Sequence, residues 1–100
     1  MARIEFNFER AKQQAKKLEE TAREMKRLGA NSIDNTLVEL RSSWSGENAD
    51  AYILKGRTLQ QQLAETAQEL ENIAESIRRV AQAIYEAEMR AREIVQQRSY

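Results

Sequence analysis

The chain has no cysteine, no histidine and no proline among its 100 residues, and only three glycines. Without Cys there is no disulfide, and nothing marks the redox compartment. Without His the commonest general base and metal ligand is missing. With both absent, zinc and thiolate chemistry have no ligands, and a helical-bundle di-iron site cannot assemble its Glu-x-x-His pairs. Gly29, Gly46 and Gly56 stand apart, so there is no glycine-rich phosphate loop. Paired acids such as Glu65/Glu69 and Glu71/Glu75 lie one helical turn apart and read as solvated. The expectation is a non-enzyme with no catalytic residue, no cofactor and no metal.

A surplus of charge is missing too. Sixteen basic residues balance sixteen acidic ones. Before Trp44 there are nine basic and seven acidic residues, and after it seven and nine. Polyanion binding rests on a surplus of Lys and Arg on one face, so nucleic acid is not an expected partner. The mixture reads as a helix exterior with i,i+4 pairs. The start, Met1 to Arg10, lacks the apolar stretch of a secretory signal peptide. No apolar run approaches the roughly 20 residues of a membrane-spanning helix, so stable membrane insertion is not expected. By these features alone the expectation is a soluble, cytosolic protein, and any export would be directed by something other than an N-terminal signal.

What is present is helical periodicity. In the second half, Tyr52, Gly56, Leu59, Leu63, Thr66, Leu70, Ile73, Ile77, Val80, Ile84, Ala87, Ala91 and Ile94 alternate at steps of three and four. That period of 3.5 marks a helix-packing seam. Ala67, Ala74 and Ala81 form a second row beside it, small enough to admit a close neighbour. In the first half, Phe8, Ala11, Ala15, Leu18, Ala22 and Met25 share one register. Ile33, Leu37, Leu40 and Trp44 continue it with one residue too many. The misfit falls on Gly29-Ala30-Asn31-Ser32, where helix propensity is poorest, and predicts a kink or loosened turn.

Trp44-Ser45-Gly46 separates the two arms and holds the sole Trp. The reading is a single domain over residues 1–100: a helix over about 8–42, a turn at 43–46 and a helix over about 47–97. Asn7 is placed to cap the first helix, with Phe6 and Ala11 as a hydrophobic staple. Ile4 and Phe6 suggest a short extended arm. Ser45 is a candidate cap for the second helix. Arg41 suits the end of the first helix, and Glu47 and Asp50 the positive start of the second. Trp44 reads both as a plug for the open end of a bundle and as half of a recognition surface.

Two helices bury little, and small domains are marginal even when complete. The apolar stripe is wider than one hairpin needs, so the expected fold is all-α. An antiparallel hairpin would dimerise into a four-helix bundle, most simply with two-fold symmetry. Leu18, Met25, Leu37, Leu40, Leu59, Leu63, Leu70, Ile73, Ile77 and Val80 are the candidate core and dimer seam. Reflected through the turn, Phe8 falls opposite about residue 83, which leaves a C-terminal overhang.

In length, central Trp44-x-Gly46 and paired arms, the chain resembles the W-x-G family of about 100-residue type VII secretion substrates, the early-secreted-antigen-like proteins. A second motif of that family has a hydrophobic residue, an acid four on, a small apolar residue three further and a hydrophobic residue four beyond. Ile84, Glu88, Ala91 and Val95 match it and are the export-signal candidates. The tyrosine-and-acid signature of mycobacterial members is not met, because Tyr85 is followed four residues on by Met89. That departure is closer to members from other Gram-positive bacteria, where homodimers are usual.

The resemblance implies a small non-enzymatic substrate or co-substrate, secreted without a cleaved signal peptide, in virulence or interbacterial competition. Implied partners are a second copy or a related small helical protein, the membrane ATPase of the secretion machine, and a larger toxin. Two other readings stand beside it: a targeting chaperone for such a toxin, and a cytosolic scaffold hairpin that is never exported.

Overall fold

The computed structural model describes residues 7–98. The proposed arm at Ile4 and Phe6, and the Phe6 half of the staple, lie outside them. Helix α1 spans Phe8–Arg27, a π-helical turn follows at Leu28–Ile33, α2 spans Asp34–Ser43 and α3 spans Glu47–Arg98. Among the described residues there is no strand. The molecule is the antiparallel helical hairpin that the heptads predict. It is 83 Å long and about 20 Å across. At about 1.5 Å per residue, the 52 residues of α3 account for nearly all of that length.

Local chemistry explains each boundary. Asn7 Oδ1 accepts a hydrogen bond from the Arg10 amide at 2.9 Å, which caps α1 as its sequence suggests. Glu9 in the first turn and Lys26 and Arg27 in the last complement the helix dipole. The surplus residue of the first arm is absorbed by the π-turn at Leu28–Ile33. A π-turn closes i→i+5 and so takes up one extra residue without breaking the helix.

At the tip, Trp44 adopts an extended conformation while its amide still donates to Leu40 O. Gly46 has φ +106°, in the region that glycine enters without a Cβ penalty. The Asp50 amide donates to Gly46 O at 3.0 Å. Gly46 thus stands at the cap position expected for Ser45, because the reversal is completed one residue later. Arg41 and Asp50 do more than complement dipoles: they pair across the turn at 2.7 Å.

The hairpin is held by small residues. Ala15 and Ala22 of α1 and Ala49, Ala67, Ala74 and Ala81 of α3 are buried, together with Leu37 and Ile53. Among the described residues no large side chain is completely enclosed. Leu18, Met25, Leu40, Leu63, Leu70 and Ile77 are half-buried, and Leu59, Ile73 and Val80 are exposed. Within one hairpin, then, the alanine row is the contact and the leucine–isoleucine seam is its flank. Small side chains let the two backbones approach, and the larger ones splay beside the closest line of approach.

The glycines of the helices differ in what surrounds them. A Cβ on Gly56 would overlap Leu37 Cδ2 and sit 2.9 Å from Leu37 Cδ1, and Leu37 is only 6% exposed. A Cβ on Gly29 would meet Leu63 at an ordinary 3.7 Å. The two Gly→Ala substitutions should therefore have opposite signs. Gly29→Ala is expected to gain about 0.4–1 kcal/mol through lost unfolded-state freedom. Gly56→Ala should lose about 1 kcal/mol net, since overpacking outweighs the helix-propensity gain. Urea midpoints of both variants check this, and a stabilised Gly56→Ala would refute the close approach of α2 and α3.

Candidate functional site

The two flanks of the alanine row are chemically different. On one flank, ion pairs join the arms: Glu19 with Arg78, Lys26 with Glu71 at 2.5 Å, Asp34 with Arg57 at 2.5 Å, and Arg41 with Asp50. The first-arm members recur at steps of seven, eight and seven, the eight marking the π-turn. Glu71 is thus paired and partly covered, not simply solvated as its spacing suggested. Glu75 pairs within α3 with Arg79, and Glu65 accepts from Gln61.

The other flank is apolar and open. Ile73 is 49% exposed and Val80 58%. Together with Ala11, Ile77 and Ala81, and with the polar Gln14, Asn72 and Ser76, they line a shallow, mostly apolar groove of about 540 Å³. Leu28 and Leu59 are exposed as well.

Two carboxyls of the paired flank are shifted by their partners. The Arg78 guanidinium, hydrogen-bonded to Glu19, holds that carboxyl below its ordinary value of 4.5, against partial desolvation and with help from Arg23. Hydrogen bonds from Arg57 and then Gln60 hold Asp34 below its ordinary 3.8. A carboxyl lowered by folding binds fewer protons in the folded state than in the unfolded one. Its contribution is complete above the ordinary value and is lost as pH falls through the lowered one. With no histidine in the chain, the thermal midpoint should be flat from about pH 8 to 5 and fall below about pH 4. Glu19→Gln should shallow that acid limb slightly, because exposed pairs contribute little. Identical acid limbs for the variant and wild type would remove Glu19 from the account.

Trp44 does not enter the core of this hairpin. It is 41% exposed and lies tilted on Tyr52 with ring centroids 5.6 Å apart. The helix ends at Ser43, so the Trp44 side chain leaves the α2 seam that its spacing assigned it. At the opposite end, Phe8 stacks on Tyr85 at 4.8 Å, two residues from its expected partner position. α3 extends past that stack to Arg98. Of the export-signal candidates, Ile84 is half-buried at the stack, and Glu88, Ala91 and Val95 are exposed on the overhang. From Glu47 to Glu88 along α3 is roughly 60 Å at 1.5 Å per residue. A single chain therefore does not bring Trp44 and Gly46 near the tail.

Sequence reasoning missed Gln60. Its side-chain amide donates to Gly29 O at 2.7 Å, inside the π-turn. The available signal was its place seven residues before Ala67, in line with the alanine row. It also missed the ion-pair flank, legible as opposite charges beside the small residues of both arms.

Among the described residues no group of acids is placed to hold a metal ion. No helix there is long and apolar enough to cross a membrane. Searches of curated proteins and of solved structures return no match. A protein-family model does match: WXG100, proteins of 100 residues with WXG, over residues 3–89. The matched span takes in both arms, the tip, Ile84 and Glu88, and stops short of Ala91 and Val95. Covering most of the chain, and with Trp44-Ser45-Gly46 at the hairpin tip, this match shows that the chain belongs to the WXG100 family, a helical family associated with type VII secretion.

Proposed function

We propose that this chain is a non-enzymatic substrate or co-substrate of a bacterial type VII secretion system, exported as a folded dimer. The observation that carries this reading is the two-sided hairpin. Its ion pairs lie on one flank of the alanine row, and the opposite flank leaves Leu59, Ile73 and Val80 uncovered. A second hairpin laid on that flank completes a four-helix bundle whose core is the leucine–isoleucine seam. WXG100 proteins act in pairs and with secretion machinery, which supports the same assignment. The function is then protein–protein recognition, first by the secretion ATPase and afterwards by a target outside the cell.

Light scattering on the purified chain should give twice the chain mass. Ile73→Ala reads the same face energetically. In an isolated hairpin, truncating a half-exposed side chain costs little, whereas in a bundle core it costs about 2–5 kcal/mol. A small cost with an unchanged monomer mass would refute the dimer. Fractionation of cells and medium, with and without the ATPase, tests export. Retention in the cell under both conditions would leave the scaffold reading in place. A chain that becomes monodisperse only with a toxin's helices would be an escort.

A further inference from the structure

We propose that the Leu28–Ile33 turn is a register hinge clamped by Gln60, across which the tip half of the hairpin, residues 34–56, opens as a unit. This goes beyond the secretion reading and does not depend on it.

Three observations converge on the turn. The buried row of the first arm runs Ala15, Ala22, Gly29 and then Leu37. The step from 29 to 37 is eight residues where the others are seven. One surplus residue is therefore stored in the π-turn, whose altered ladder leaves backbone groups to satisfy. Gln60 supplies a donor there from the facing helix, reaching Gly29 O at 2.7 Å in a partly buried position. Its Oε1 in turn accepts from Arg57 at 2.8 Å, and Arg57 donates to Asp34 Oδ1. The network thus holds the turn and the first residue of α2 on one stretch of α3.

The same Gln60 divides the core. On α3 the buried Ile53, Ala67, Ala74 and Ala81 fall on one seven-residue spacing, and the position between Ile53 and Ala67 is taken by the half-buried, polar Gln60. On the tip side lie Leu37, Ala49 and Ile53, and on the base side Ala15, Ala22 and the remaining alanines. Two apolar sections meet at a hydrogen-bonded joint, the arrangement expected of separately opening units. Trp44 and Gly46 ride on the tip section, so the clamp is a positioning device for the motif. Gln60 acts on the motif through the turn, without touching it.

Hydrogen exchange on the full chain, at one fixed concentration, tests this with Gln60→Met, with deletion of the exposed Ala30, and with both together. Gln60→Met removes the donor at similar size. It should speed exchange over residues 34–56 roughly tenfold, the cost of an unsatisfied part-buried acceptor, with residues 8–27 and 63–84 within about twofold of wild type. Deleting Ala30 removes the surplus residue, so that a plain α-helix keeps both seams in register. Alone it should slow exchange at the turn, and combined with Gln60→Met it should restore wild-type rates at the tip. Unchanged or uniformly raised exchange in Gln60→Met overturns the hinge. So does a deletion that neither slows the turn nor rescues the tip, which is informative even if Gln60→Met fails to fold.

Discussion

Replacing Glu88 with Ala is expected to abolish export of a chain that still folds and self-associates. Glu88 is exposed on the overhang of α3, where losing a surface acid contributes little to stability. Trp44 and Gly46 lie at the far end of the same rod. In an antiparallel dimer the tip of one hairpin lies beside the overhang of its partner. Trp44 and Gly46 of one subunit would then adjoin Ile84, Glu88, Ala91 and Val95 of the other. On this proposal the secretion machine reads a surface that exists only in the folded dimer. Trp44→Ala should lower export as well, and because Trp44 packs on Tyr52 it should also cost some stability. The amount of each variant in medium against cell pellet, with dimer mass measured separately, decides the matter. Normal secretion of Glu88→Ala removes that residue from the signal, and a parallel dimer removes the shared surface.

Within the hairpin itself, the largest loss of stability is expected from Ala74→Leu. Ala74 has no exposed surface, in the row where α1 and α3 pack on each other. Three added carbons have nowhere to go unless the helices separate, and overpacking typically costs about 1–3 kcal/mol, occasionally more. A small hairpin has little stability to lose, so about 3 kcal/mol should leave a substantial unfolded fraction at 37 °C. Ala83→Leu, at an exposed position of the same helix, serves as the control and should stay within about 0.5 kcal/mol of wild type. Chemical unfolding followed by circular dichroism measures both. Equal midpoints for Ala74→Leu and wild type would mean that the alanine row is not the contact between the arms.

Much of the fold is legible without coordinates because a helical hairpin is governed by local rules. Asn7 caps α1 through its own side chain, three residues from the amide it accepts. The heptads of both arms show that helices pair, and the extra residue between Met25 and Ile33 locates the irregularity. The site was less legible. Whether a seam residue is core or flank depends on the distance between helix axes. Periodicity places Ala67 and Leu70 on neighbouring stripes without saying which stripe faces the partner. The assignment of Leu59, Ile73 and Val80 to a core therefore belongs to the proposed dimer and not to the hairpin. Trp44 was placed on the seam by carrying the helical spacing into the expected turn, where its backbone is in fact extended.

The sequence by itself determined the class, the turn and the family, since each follows from residues within a few turns of one another. Trp44-Ser45-Gly46 marks where the chain reverses. Only the tertiary structure decided how the arms meet. Pairings such as Glu19 with Arg78, Gln60 with Gly29 O and Leu37 against Gly56 join residues from 19 to 59 positions apart. Their register depends on how the π-turn is wound and how closely the alanines let the backbones approach. Those are properties of two helices together, and no pattern along one of them contains that information.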